Sequence, residues 1–86
     1  MRTERVFPEF PGHFEGDPLV PGAALLAWVQ ELNPELRSLQ RVRFRAPLRP
    51  GELAILHLQR EGATLRFSVE GPQGLCAEGA GELGPG

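Results

Sequence analysis

The run Phe10-Pro11-Gly12-His13-Phe14-Glu15-Gly16-Asp17-Pro18-Leu19-Val20-Pro21-Gly22 restricts the folding choices of this chain more than any other stretch. It holds three Pro, three Gly and one His within 13 residues, and the apolar segment from Ala23 to Val29 follows without a break. Pro fixes φ and Gly reaches backbone angles that other residues adopt only at a cost, so a loop rich in both loses little entropy on ordering. The sequence therefore predicts a preset loop that delivers one titratable ring, His13, to the start of a helix. Pro21-Gly22 leaves the first N–H groups of that helix without partners and uncovered by a bulky side chain. Such an end can seat a carbonyl oxygen or an anion.

From Gly22 to Leu32 the chain reads as a helix that is apolar all round over Ala23, Ala24, Leu25, Leu26, Ala27, Trp28 and Val29. That pattern predicts a helix wrapped by other structure. Asn33-Pro34 ends it, because the residue before Pro avoids the helical region. Pro34-Glu35-Leu36 is expected to add one turn, with Asn33 as its cap. Ahead of the loop, residues 5–10 predict a short edge strand anchored by Val6, Phe7 and Phe10, with Pro8 barring a central place. From Leu39 the period becomes two. Val42 and Phe44 alternate with Arg41, Arg43 and Arg45, which predicts a strand with one buried and one solvated face. Residues 47–51 turn the chain, and residues 52–60 alternate less cleanly. Glu61-Gly62 predicts a hairpin turn, Leu65-Phe67-Val69 a strand, and Gly71-Pro72-Gln73-Gly74 another turn. The last strand, 75–83, carries Gly79 and Gly81, which would tolerate close packing or a bulge. One apolar helix with antiparallel strands joined by short turns makes a single α+β domain over residues 1–86.

With 86 residues, a lone chain buries only about 60% of its unfolded surface, so association with further copies is expected. The single Cys76 cannot form an internal disulfide, which suits a reducing cytosol, and it reads as a buried strand residue. No apolar run approaches membrane-spanning length and no signal-peptide core follows Met1, so the expectation is a soluble, cytoplasmic protein without membrane contact. A net charge of −2 argues against a general affinity for nucleic acid. All nine basic residues are Arg, and five of them (Arg37, Arg41, Arg43, Arg45 and Arg49) fall close together. They form either a solvated strand face or a docking patch for an acidic carrier protein or coenzyme A phosphates. His57, between Leu56 and Leu58, reads as structural, and no His, Cys and carboxylate set has the spacing of a metal site.

The stretch Gly12-His13-Phe14-x-Gly16-x-Pro18-x-x-Pro21-Gly22 resembles the active-site signature of the 3-hydroxyacyl-(acyl carrier protein) dehydratases. A second segment, Val42-Arg43-Phe44-Arg45-Ala46-Pro47-Leu48-Arg49-Pro50-Gly51-Glu52, resembles the strand and turn of the same family. Trp28 points to its short hydroxymyristoyl dehydratase-like branch. Two positions depart from the pattern: Glu15 stands where Pro is usual, and Ala27 stands where the family carries a helix carboxylate.

The resemblance implies a hotdog fold, an antiparallel sheet wrapped around one central helix, in a homodimer or higher homo-oligomer with sites between protomers. It implies an acyl thioester substrate on acyl carrier protein or coenzyme A, with no cofactor and no metal. His13 would be the base that removes the proton next to the carbonyl, a role suited to its near-neutral pKa. The Gly22 N–H would polarise the thioester carbonyl, and Phe14, Pro21, Ala23 and Ala27 would line the substrate. With no acid at Ala27, two carboxylates near in sequence, Asp17 and Glu31, are the candidates. Three readings follow: a 3-hydroxyacyl thioester dehydratase, a hotdog thioesterase whose carboxylate directs water, and a non-catalytic acyl-binding module.

Overall fold

Two tight turns set the sheet. In the computed structural model, which describes residues 1–10 and 18–84, Gly62 and Ala63 fold β3 (Leu53–Glu61) back onto β4 (Thr64–Gly71), with Glu61 facing Thr64. Gly62 has φ 59, a left-handed angle that Gly adopts without the usual Cβ penalty. Pro72 and Gln73 then fold β4 onto β5 (Gly74–Leu83), with Gly71 facing Gly74. Two further strands complete the sheet at its edges: β1 (Arg2–Val6) beside β3, and β2 (Leu36–Phe44) beside β5. The order is β1-β3-β4-β5-β2, antiparallel at every pairing.

The one helix among the described residues, α1 (Gly22–Leu32), has the boundaries expected from sequence. Leu25, Trp28 and Val29, one stripe at helical spacing, pack on Leu56 and Leu58 of β3, Leu65, Phe67 and Val69 of β4, and Cys76 and Ala77 of β5 in one core. Each such side chain contributes roughly 1.5–3 kcal/mol by leaving water. Trp28 also meets Phe7 edge to face, with ring centroids 5.5 Å apart. The helix is not wrapped on all sides, however. Ala23, Ala27 and Gln30 are exposed. Among the described residues, the five-stranded sheet curls over one helix face and the other stays uncovered.

Three local expectations are corrected. The leading strand is Arg2–Val6, not residues 5–10, because its partner β3 begins at Leu53, opposite Val6. Phe7 leaves the ladder to enter the core, and its carbonyl accepts a hydrogen bond from the Gly51 N–H at 3.0 Å. Val6 is exposed and anchors nothing, whereas Phe10 packs against the core as expected. Asn33 caps the end of α1 and no second helical turn: its Nδ2 donates to the Val29 carbonyl at 2.8 Å, and Pro34-Glu35 make a plain turn.

The third correction is β2, which starts at Leu36 and not at Leu39. Its helix-side residues are Leu36, Leu39, Val42 and Phe44, spaced three, three and two apart. Strict alternation cannot produce a spacing of three. Two β-bulges do, one at Arg37 and one where Arg41 and Val42 together face Gly79. Arg41 takes a left-handed φ of 54 there. The glycines of β5 make the close approach possible: a Cβ on Gly79 would lie 2.9 Å from the Phe67 ring. Phe44 is on the inner face as its alternation predicts, yet it is 54% exposed, since no other described residue covers that end of the helix.

Candidate active site at the start of the helix

The approach to α1 is pinned by one backbone bond, from the Val20 N–H to the Leu48 carbonyl at 2.8 Å. Pro21 is the N-cap, in extended conformation (φ −63, ψ 144), and among the described residues no side chain caps the helix start. The Ala24 N–H bonds the Pro21 carbonyl at 2.9 Å, so the N–H groups of Gly22 and Ala23 precede the first internal acceptor. The first turn also lacks any acidic residue. The positive end of the helix dipole is thus left for something outside the helix.

Gly22 is glycine for a steric reason. A Cβ there would lie 2.7 Å from Cε1 and Cζ of Phe44. The Phe44 ring therefore lies directly against the helix start. Sequence reasoning read Phe44 as a buried strand residue and missed this contact. The signal was its place in the second matched segment, on the same strand face as Val42.

Beyond Gly22 the bare face of α1 carries Ala23 and, one turn on, Ala27, both exposed, with Leu26 half-buried beside them. This is a strip of small apolar side chains without a proton donor. Glu31, a further turn along, is engaged elsewhere: its carboxylate lies 3.4 Å from the Arg5 guanidinium. Arg5 in turn rests over the rings of Phe7 and Trp28, at 5.4 and 5.8 Å from their centroids.

The structure therefore brings Pro21, Gly22, Ala23 and Ala27 to one surface. His13, Phe14 and Asp17, with Glu15, lie outside the described residues. Cys76 is buried, and its thiol points to the carbonyls of Gly74 and Pro47 at 3.4 and 3.9 Å. Burial foremost, then the Glu52 carboxylate, pushes its pKa up; a backbone hydrogen bond from Gly71 opposes this, and Glu70 adds to the rise. A thiol held neutral in this way is a poor nucleophile. His57 lies on the outer sheet face with Nε2 3.2 Å from a Glu70 carboxylate oxygen. Among the described residues no group of three or more His, Cys, Asp or Glu is placed to hold a metal ion, and no helix is long and apolar enough to cross a membrane.

Against this geometry, residues 2–80 match the family model described as ApeI-like, ApeI dehydratase. The chain belongs to the ApeI-like dehydratase family. It is 32% identical over 81 residues to the 3-hydroxyacyl-[acyl-carrier-protein] dehydratase FabZ of Syntrophobacter fumaroxidans, a match covering 73% of this chain and 55% of that protein. The chain thus spans about half the length of that curated relative. Among solved structures, the dehydratase heterocomplex ApeI:P from Xenorhabdus doucetiae superimposes with a TM-score of 0.85 at 25% identity, covering 98% of this chain and 86% of that one. The five-stranded antiparallel sheet with the helix of the described residues is accordingly the hotdog fold that the resemblance to the 3-hydroxyacyl-(acyl carrier protein) dehydratases implied.

Proposed function

We propose that this chain removes water from 3-hydroxyacyl thioesters at the Gly22 end of α1. One observation carries the reading: an uncapped helix start, free of Cβ and flanked by the Phe44 ring, opens onto the small side chains Ala23 and Ala27. The Gly22 N–H receives the thioester carbonyl oxygen and stabilises the negative charge that gathers on it. His13 takes the proton from C2, and the electron pair of that C–H bond moves into the enolate. When the enolate collapses, C2 and C3 become doubly bonded, and the C3–O bond breaks as the hydroxyl takes a proton and leaves as water. Ala27 offers no such proton, and Glu31 is held by Arg5. Asp17, four residues past His13, or water supplies it, so turnover is slow. The acyl group arrives on an acyl carrier protein, the carrier named for the FabZ relative.

The bare helix face calls for a cover, and a second copy of the chain would supply one. A second reading is favoured by the ApeI:P neighbour, which is a heterocomplex: a different dehydratase-like chain covers Ala23 and Ala27 and contributes the missing acid.

The test is to incubate the purified chain with 3-hydroxyacyl and saturated acyl thioesters and follow the products by mass spectrometry. Loss of one water from the hydroxyacyl substrate is expected. His13→Ala should lower that rate about 10²–10⁴-fold with the melting temperature retained. Release of free acid from the saturated substrate would make the chain a thioesterase. No product from either would leave an acyl-binding module. Light scattering should give about twice the 9.4 kDa chain mass, and a stable monomer would refute the homodimer.

A further inference from the structure

The sheet face opposite α1 carries a second concave feature, a trough of about 590 Å³. Its floor is β5, where Gly79 and Ala80 present little side chain. One wall is β2 with the residue beyond it, bearing Arg41, Arg43 and Arg45; the other is β4, bearing Arg66. The register places them: Ala80 faces Gln40 on one side and Arg66 on the other, while Arg43 faces Glu78. Strand pairing thus holds the two Arg walls on either side of a single strand, at the roughly 10 Å that two strand spacings give.

Charge is distributed unevenly among the arginines. Arg2, Arg5, Arg45 and Arg60 each have a carboxylate at 3.9 Å or closer. Arg41, Arg43 and Arg66 meet none among the described residues. The one carboxylate lining the trough, Glu78, is taken by Arg45 at 2.7 Å. A chain with two more acids than bases thus gathers three unpaired guanidiniums in one depression. It does so partly through the bulge at Arg41, whose left-handed φ of 54 is costly for a residue with a Cβ. Like charges so placed repel one another unless an anion sits between them.

We propose that this trough, with Arg41 and Arg43 on one wall and Arg66 on the other, binds a diphosphate group. Guanidiniums recognise phosphate oxygens through paired N–H donors. Two linked phosphates offer more oxygens to the two walls than one phosphate does, and they carry nearly the charge of the three guanidiniums. The volume falls in the range of small-ligand sites. The diphosphate is either inorganic or part of a nucleotide. The site does not depend on the proposed dehydration, because it lies on the other side of the sheet from Gly22.

Isothermal titration calorimetry of the intact chain with inorganic diphosphate, orthophosphate, ADP and coenzyme A tests this. Diphosphate is expected to bind saturably, one per chain, more tightly than orthophosphate and more weakly as salt is raised. Arg43→Ala and Arg66→Ala should each weaken it at least tenfold, and Arg60→Ala, which lies outside the trough, less than twofold. Both residues are exposed, so both variants should fold, and Arg41→Ala provides a third independent test. Tighter binding of ADP or coenzyme A than of inorganic diphosphate supports the site with a nucleotide as source; the reverse order supports it with a free anion. Absence of saturable binding by every phosphate probe would overturn the proposal, even if an acidic carrier protein bound. So would an equal loss in Arg60→Ala, which would reduce the effect to diffuse charge.

Discussion

The two faces of α1 are built from similar apolar residues and end in opposite states. Leu25, Trp28 and Val29 are sealed against the sheet, while Ala23 and Ala27, on the same 11-residue helix, stand open. Side-chain size makes the difference. The large residues fill the concave side of the sheet, and the small ones leave a smooth strip that begins at Gly22 and the Phe44 ring. One helix therefore divides its work. Its closed face holds the fold together, and its open face is available for chemistry or for a partner chain.

Substitutions that respect this division separate the two roles. Trp28→Ala, on the closed face, should have the largest effect, about 3–5 kcal/mol lost in urea unfolding through a cavity beside Phe7. Ala27→Ser, on the open face, should change stability by less than about 0.5 kcal/mol. Comparable losses at the two positions would mean that the open face is not open. Gly22→Ala, at the boundary, should cost about 1–3 kcal/mol by forcing a methyl group into the Phe44 ring. The same change in a Phe44→Ala background should cost almost nothing, and a double-mutant cycle measures the coupling.

The smallest effect belongs to the closed side of the sheet, at Cys76. Its raised pKa means that the folded chain keeps a proton that the unfolded chain releases. That contribution to stability is complete below the ordinary thiol pKa and falls as pH rises past about 8.5. Urea midpoints measured between pH 7 and 10 should decline less steeply in Cys76→Ala. Native protein should also react slowly with iodoacetamide and unfolded protein quickly.

The closed face was legible in the sequence because period and punctuation specify it. The helix from Gly22 to Leu32 is bounded by Pro21 and by Asn33-Pro34, and the hairpin turns at Gly62 and Gly71–Gly74 announce themselves through glycines. The bulges of β2 were hidden, since an extra residue such as Arg41 looks like continued alternation until the strand is paired. Which helix face would stay bare was hidden too. An all-apolar segment does not reveal how much of it one chain can cover. At the candidate site, Pro21, Gly22, Ala23 and Ala27 were visible as residue types at fixed spacing. Phe44 against Gly22 and Arg5 holding Glu31 are contacts between distant segments, and local pattern does not encode them.

The central claim is that the open face beside Gly22 is a thioester site that lacks its acid. Its most direct test is the dehydration rate of purified Ala27→Glu, with Ala27→Asp alongside, against the unaltered chain, with His13 intact and melting temperatures followed in parallel. A general acid typically contributes 10²–10⁴-fold, so a folded Ala27→Glu variant is expected to dehydrate a 3-hydroxyacyl thioester at least tenfold faster. A folded variant with no gain would contradict the claim and place the chemistry away from this face.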